Sequence, residues 1–148
     1  MRVLALDVGE RRTGVALSDA MGWLATPLTV LKGNKHEAEL AAIALLVQKH
    51  HVERIVVGYP RSLDGSIGPQ ALRVDEYVAR LRMRLPEVPI VLWDERLSTA
   101  QAERLIHETG RRVQRERIDA AAAAVILQSY LDAQARPGLE QGHLGGRF

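Results

Sequence analysis

Apolar positions along this chain recur with two different periods, and the switches between them mark the elements. Residues 2–8 run Arg-Val-Leu-Ala-Leu-Asp-Val, a short apolar stretch that reads as a strand. Gly9 to Thr13 reads as a turn, and Gly14-Val15-Ala16-Leu17-Ser18 as the returning strand of a hairpin. Thr29-Val30-Leu31, after Pro27, predicts a third strand that completes a meander. From His36 to His51 the period becomes helical, with Leu40, Ile43, Leu46 and Val47 on one face. Arg54-Ile55-Val56-Val57-Gly58 is a strand of the buried type, closed by Tyr59-Pro60, and a loop follows from Arg61 to Gly68. Pro69 suits the first position of a helix that should run to about Leu85. Pro89 to Trp93 predicts a fifth strand. Ser98 caps a helix to about Glu108, and Gly110 ends it. An Arg-rich segment then reads as a loop before a last helix from Ile118 to about Ala135.

Strands joined through helices should lie parallel, and a meander joined by tight turns should be antiparallel. The expected fold class is therefore α/β, with a five-stranded mixed sheet whose first three strands are antiparallel and helices on both faces. A chain of 148 residues with 47% hydrophobic and 26% charged residues can bury a core of its own. Residues 1–135 are expected to form that one domain, and residues 136–148, with four glycines and little to pack, a mobile tail. The alanine run 120–124 should let the final helix approach its neighbours closely.

Composition narrows the chemistry. There is no cysteine, which excludes disulfides, zinc–thiolate sites, iron–sulfur clusters and thiol catalysis. No apolar run is long enough for a membrane span and the start lacks a signal-peptide pattern, so the expected address is the cytoplasm. Net charge is only +2, yet 17 of the 20 basic residues are arginine. They cluster at Arg11-Arg12, at Arg80, Arg82 and Arg84, and along Arg111–Arg117. A guanidinium is a planar fork suited to phosphate, whereas aromatic platforms for stacking bases are scarce here. A nucleic-acid partner would be gripped by its backbone; a general bias toward arginine would give the same composition.

Three acids stand out by position. Asp7 ends an apolar strand, where an ionised carboxylate is costly unless paired or metal-bound, and Gly9 and Gly14 beside it permit a tight turn and close backbone approach. Asp94 and Glu95 lie at the carboxyl end of the fifth strand, and Asp119 falls in the first turn of the last helix. Sites in such sheets form beyond the carboxyl ends of parallel strands, where Asp7 and Glu95 could converge with Asp119. An oxygen-only donor set suits magnesium or manganese better than zinc. The plainer readings are a solvated strand end for Asp94-Glu95-Arg96 and a helix-dipole partner for Asp119. The five histidines show no ligand spacing.

Four segments then form a pattern: Leu6-Asp7-Val8-Gly9 through Arg12-Thr13-Gly14-Val15-Ala16-Leu17-Ser18-Asp19; Val57-Gly58-Tyr59-Pro60-Arg61-Ser62-Leu63-Asp64-Gly65 with Gly68-Pro69-Gln70; Asp94-Glu95-Arg96-Leu97-Ser98-Thr99; and Ile118-Asp119-Ala120 leading to Gln128-Ser129-Tyr130-Leu131. In this order, over residues 6–131, they resemble the YqgF (RuvX) family, pre-16S rRNA nucleases with a Holliday-junction-resolvase-like, RNase H-like fold. Tyr59, Glu10 and Arg117 depart from the usual residues of that pattern, but no carboxylate is lost.

The resemblance implies a metal-dependent phosphodiesterase with Asp7, Glu95 and Asp119 as catalytic metal ligands, holding Mg2+ or Mn2+ as two ions. It implies 5′-end processing of pre-16S rRNA, or resolution of branched DNA, by a monomer or homodimer that does not engage membranes. Arg11, Arg12, Arg61 and Arg96 are candidate phosphate contacts, as are Arg111, Arg112, Arg115 and Arg117 flanking Asp119. Two other classes remain open. An actin-like or sugar-kinase ATP-binding domain shares the Asp-x-Gly hairpin but requires a second domain that is not visible in this chain. A non-catalytic RNA-binding assembly factor could carry the same carboxylates.

Overall fold

The computed structural model describes residues 1–32, 36–60, 68–94 and 112–135. Its strands are β1 (Val3–Val8), β2 (Arg12–Ser18), β3 (Ala25–Lys32), β4 (Arg54–Tyr59) and β5 (Ile90–Asp94). Its helices are α1 (His36–His50), α2 (Pro69–Arg84) and α3 (Arg112–Ala135). The sheet order is β3-β2-β1-β4-β5. β2 pairs antiparallel with both β1 and β3, whereas β4 pairs parallel with β1 and β5. The expected mixed sheet and antiparallel meander are present.

Strand alternation decides which helix each residue meets. Leu4, Leu6 and Val8 of β1, with Val15 and Leu17 of β2, pack against Leu40 and Ile43 of α1 and Val74, Tyr77, Val78 and Leu81 of α2. Val3, Ala5, Ala16, Val56 and Trp93 face the other way, onto Ala123, Ile126, Leu127 and Tyr130 of α3. Helices therefore cover both faces, and β1 is buried between them. Leu4 and Leu6 are fully buried, each contributing about 1.5–3 kcal/mol of apolar burial. Trp93 meets Tyr130 edge to face at 5.3 Å and donates from Nε1 to Ser129 Oγ at 3.2 Å, tying β5 to α3.

β2 begins at Arg12, two residues ahead of the sequence reading, and two further boundaries differ from it. β3 begins at Ala25, ahead of Pro27, because an edge strand tolerates a residue with no N–H to donate; Pro27 lies opposite Ala16, where the register shifts. α3 begins at Arg112, so most of the segment read as an Arg-rich loop is helix, as its Arg, Gln and Glu content favours. The helix expected over 98–108 and the tail 136–148 lie outside the described residues.

Candidate nuclease site

The site is built where the carboxyl end of β1 meets α3. Val3 and Ala5 of β1 face α3, and continued alternation places Asp7 on that same face. The Gly9 N–H donates to the Arg12 carbonyl at 2.8 Å and closes the hairpin. A Cβ at Gly9 would meet that carbonyl oxygen at 2.6 Å, so the turn requires a glycine. Across the hairpin, Asp7 lies opposite Gly14.

Gly14 brings the helix down. A Cβ there would stand 2.0 Å from the backbone oxygen of Asp119 and 2.5 Å from its carbonyl carbon. Without a side chain at that point, the α3 backbone rests on β2 directly over the partner of Asp7. Asp7 and Asp119 thus flank one glycine on one face of the sheet. Arg12 Nε reaches Asp119 Oδ2 at 3.0 Å, with the two side chains 34% and 30% exposed. A pair so exposed is worth about 0.2–1 kcal/mol.

Asp119 stands about two turns into α3, not in the first turn as expected, because the helix starts at Arg112. The helix dipole acts only on the terminal turn, so the helix-dipole explanation for Asp119 fails. On β5, Val91 and Trp93 face α3 while Ile90 and Leu92 face α1 and α2, which by alternation puts Asp94 on the side away from Asp7. Arg11 is exposed in the hairpin turn. Arg112, Arg115 and Arg117 belong to the opening turns of α3. Glu95, Arg61, Arg96 and Arg111 lie outside the described residues. Asp7 and Asp119 offer carboxylate oxygen alone, a donor set that fits a hard divalent cation. Among the described residues no group of three metal-ligating side chains occurs.

Beneath the hairpin lies a second carboxylate that sequence reasoning missed. Glu39, 5% exposed, accepts from Thr13 Oγ1 at 2.7 Å and from Tyr77 OH at 2.9 Å, both at Oε1. Burial first, and the Glu39 charge second, push the Tyr77 hydroxyl far above its ordinary pKa. The available signal was spacing: Glu39 falls four residues before Ile43, on the apolar stripe of α1. Gln70, part of the second motif, donates from Nε2 to the Val8 carbonyl at 2.6 Å, and so anchors α2 to the end of β1.

A five-stranded mixed sheet in this order, with helices on both faces, is RNase H-like, the architecture of nucleases of the resolvase class. The chain belongs to the RuvX family, described as Holliday junction resolvase, whose sequence profile matches residues 1–133. It is accordingly an enzyme that hydrolyses phosphodiester bonds, and nucleases of this kind generally work with divalent cations. A relative from Pelotomaculum thermopropionicum, provisionally named a pre-16S rRNA nuclease, is 46% identical over 146 residues, covering 96% of this chain and 94% of its own. One of the same name from Latilactobacillus sakei is 42% identical over 148 residues, covering 97% and 100%. Among solved structures, Thermus thermophilus RuvC in complex with a Holliday junction substrate superposes with a TM-score of 0.54 at 16% identity, covering 91% of this chain and 96% of that one. The fowlpox virus resolvase in complex with Holliday junction DNA gives 0.52 at 8% identity, covering 90% and 99%. These two likenesses establish the fold. No helix among the described residues is long and apolar enough to cross a membrane.

Proposed function

We propose that the protein is a divalent-metal-dependent endonuclease that processes the 5′ end of pre-16S rRNA in the cytoplasm. The observation that carries this is the seating of Asp119 over Gly14, opposite Asp7. Asp7, Glu95 and Asp119 would hold the metal, Mg2+ or Mn2+, as two ions. Asp94 is not assigned a ligand role, because alternation along β5 puts it on the face away from Asp7. Metal bound there would activate the attacking water and stabilise the leaving oxygen. Three carboxylates carry −3, which makes room for cationic charge and a scissile phosphate together. Arg11, Arg12, Arg61, Arg96, Arg111, Arg112, Arg115 and Arg117 would orient the phosphodiester backbone, as planar donors do.

The relatives named for pre-16S rRNA, similar over nearly their whole lengths, favour RNA. The family description favours a second reading, cleavage of branched DNA. Symmetric junction resolution requires two facing sites and hence a homodimer, whereas trimming one RNA end is open to a monomer. The test offers end-labelled pre-16S leader RNA and a four-way DNA junction in parallel, with Mg2+, Mn2+ or EDTA. Cleavage of the leader alone, abolished by EDTA, is the expected result. Paired nicks in the junction with intact RNA would assign the second reading, and cleavage undiminished by EDTA would overturn the metal site.

A further inference from the structure

Arg12 occupies the carboxylate that the proposed function assigns to a cation. Its own carbonyl is held by the Gly9 N–H, which closes the hairpin turn beneath it. Asp119 is held just as firmly, because its backbone lies against Gly14. The contact between Nε and Oδ2 at 3.0 Å therefore springs from two backbones that are each held in place. A guanidinium does not lose its proton, so it leaves this oxygen only by moving away. About a third of each side chain is exposed, but Oδ2 itself is buried, so this oxygen opens to an ion only when the guanidinium moves.

We propose that Arg12 is a placeholder counter-ion for Asp119: a divalent cation enters by displacing its guanidinium, which is thereby released toward a substrate phosphate. The inference rests on the metal-site reading above. Two positive charges cannot share Oδ2 without repulsion, so Arg12 lowers the resting affinity of the site for metal. A phosphodiester that draws the guanidinium off Asp119 raises that affinity, and by linkage metal raises the affinity for phosphate equally. Arg12 is in this sense a positioning residue that couples cation to nucleic acid.

The experiment titrates Mn2+ calorimetrically, without nucleic acid, into the wild type and the Arg12→Gln, Arg12→Lys and Asp119→Asn variants. Removing a partly exposed ion pair should tighten Mn2+ binding by about two- to fivefold in Arg12→Gln. The rise in melting temperature on adding Mn2+ should also be larger in that variant than in the wild type. Arg12→Lys keeps the charge but has no Nε at that place; it should tighten binding by less, and it carries the test if Arg12→Gln does not fold. Asp119→Asn should weaken binding. Equal or weaker Mn2+ binding by folded Arg12 variants, beside a wild type that binds and an Asp119→Asn that does not, overturns the placeholder role and leaves the metal site standing. Absence of Mn2+ binding in the wild type and in folded Arg12→Gln alike overturns both.

Discussion

The backbone oxygen of Asp119 occupies the space that a side chain at position 14 would need: a Cβ on Gly14 would lie 2.0 Å from it. Backbone cannot yield as a flexible side chain can, so Gly14→Ala must lift α3 from β2 or bend the strand. Overpacking of this kind costs about 1–3 kcal/mol. The same movement displaces Asp119 relative to Asp7, and a shift near 1 Å is worth about a hundredfold in rate. Gly14→Ala should therefore melt a few degrees early and lose cleavage far beyond the fraction unfolded at the assay temperature. Activity in proportion to folded protein would show that the close approach serves packing alone.

Asp7→Asn tests the charge separately from the shape. Asn fills the same volume and still accepts hydrogen bonds, so the hairpin and its pairing with Gly14 should persist. What disappears is a negative charge facing the cation, and metal assistance amounts to several kcal/mol of transition-state stabilisation. At 1.36 kcal/mol per factor of ten, cleavage should fall on the order of a thousandfold or more. Metal removal should have the same effect on the wild type. RNA binding should persist or tighten, since one repulsive charge is gone. A well-folded Asp7→Asn enzyme cleaving at the wild-type rate in Mn2+ would remove Asp7 from the chemistry.

The Glu39 network offers a stability test away from the site. Glu39→Ala leaves the Thr13 and Tyr77 hydroxyls without their acceptor in the core. Each buried hydroxyl left unsatisfied costs about 1–3 kcal/mol, so the urea midpoint should fall sharply. Glu39→Gln keeps an acceptor oxygen and should be much milder; equal losses in the two variants would mean that the charge, not the acceptor, matters. Thr13 lies between Arg12 and Gly14, so activity in Glu39→Gln should follow stability.

Most of this arrangement was legible because strand alternation is a strict period. The apolar run of residues 2–8 announced a strand, and the tight turn beside Gly9 announced the antiparallel pair. The misreadings share one physical origin, local chemistry overridden by context. Pro27 looked like the boundary of a strand, yet at a sheet edge its missing N–H deprives no neighbour. The arginines after Gly110 looked like a solvated loop, yet from Arg112 onward they extend a helix whose later turns pack on the sheet. Glu39 drew no attention in the sequence, because its partners come from β2 and α2, distant along the chain. Gly14 was read as allowing close backbone approach, and the approach is there; only the seated helix reveals that the backbone it admits is that of Asp119.

The turn between β2 and β3 should make stability depend on acid. Asp19 Oδ1 accepts from the Trp23 N–H at 2.7 Å and the Leu24 N–H at 3.2 Å, which lower its pKa from 3.8. A carboxyl with a folded pKa below its unfolded value binds protons more readily when unfolded. Its contribution is therefore complete above the unfolded value and lost as pH falls through the folded one. Urea midpoints measured from about pH 5 down to about pH 2.5 should decline partly through this group. Asn at position 19 keeps the acceptor oxygen but cannot titrate, so the Asp19→Asn variant should show a shallower decline over that window. The wild-type and variant curves should draw together as the pH falls and Asp19 takes up its proton. Parallel curves throughout would assign the acid sensitivity to other carboxylates and leave the Asp19 turn a local feature that unfolding does not sense.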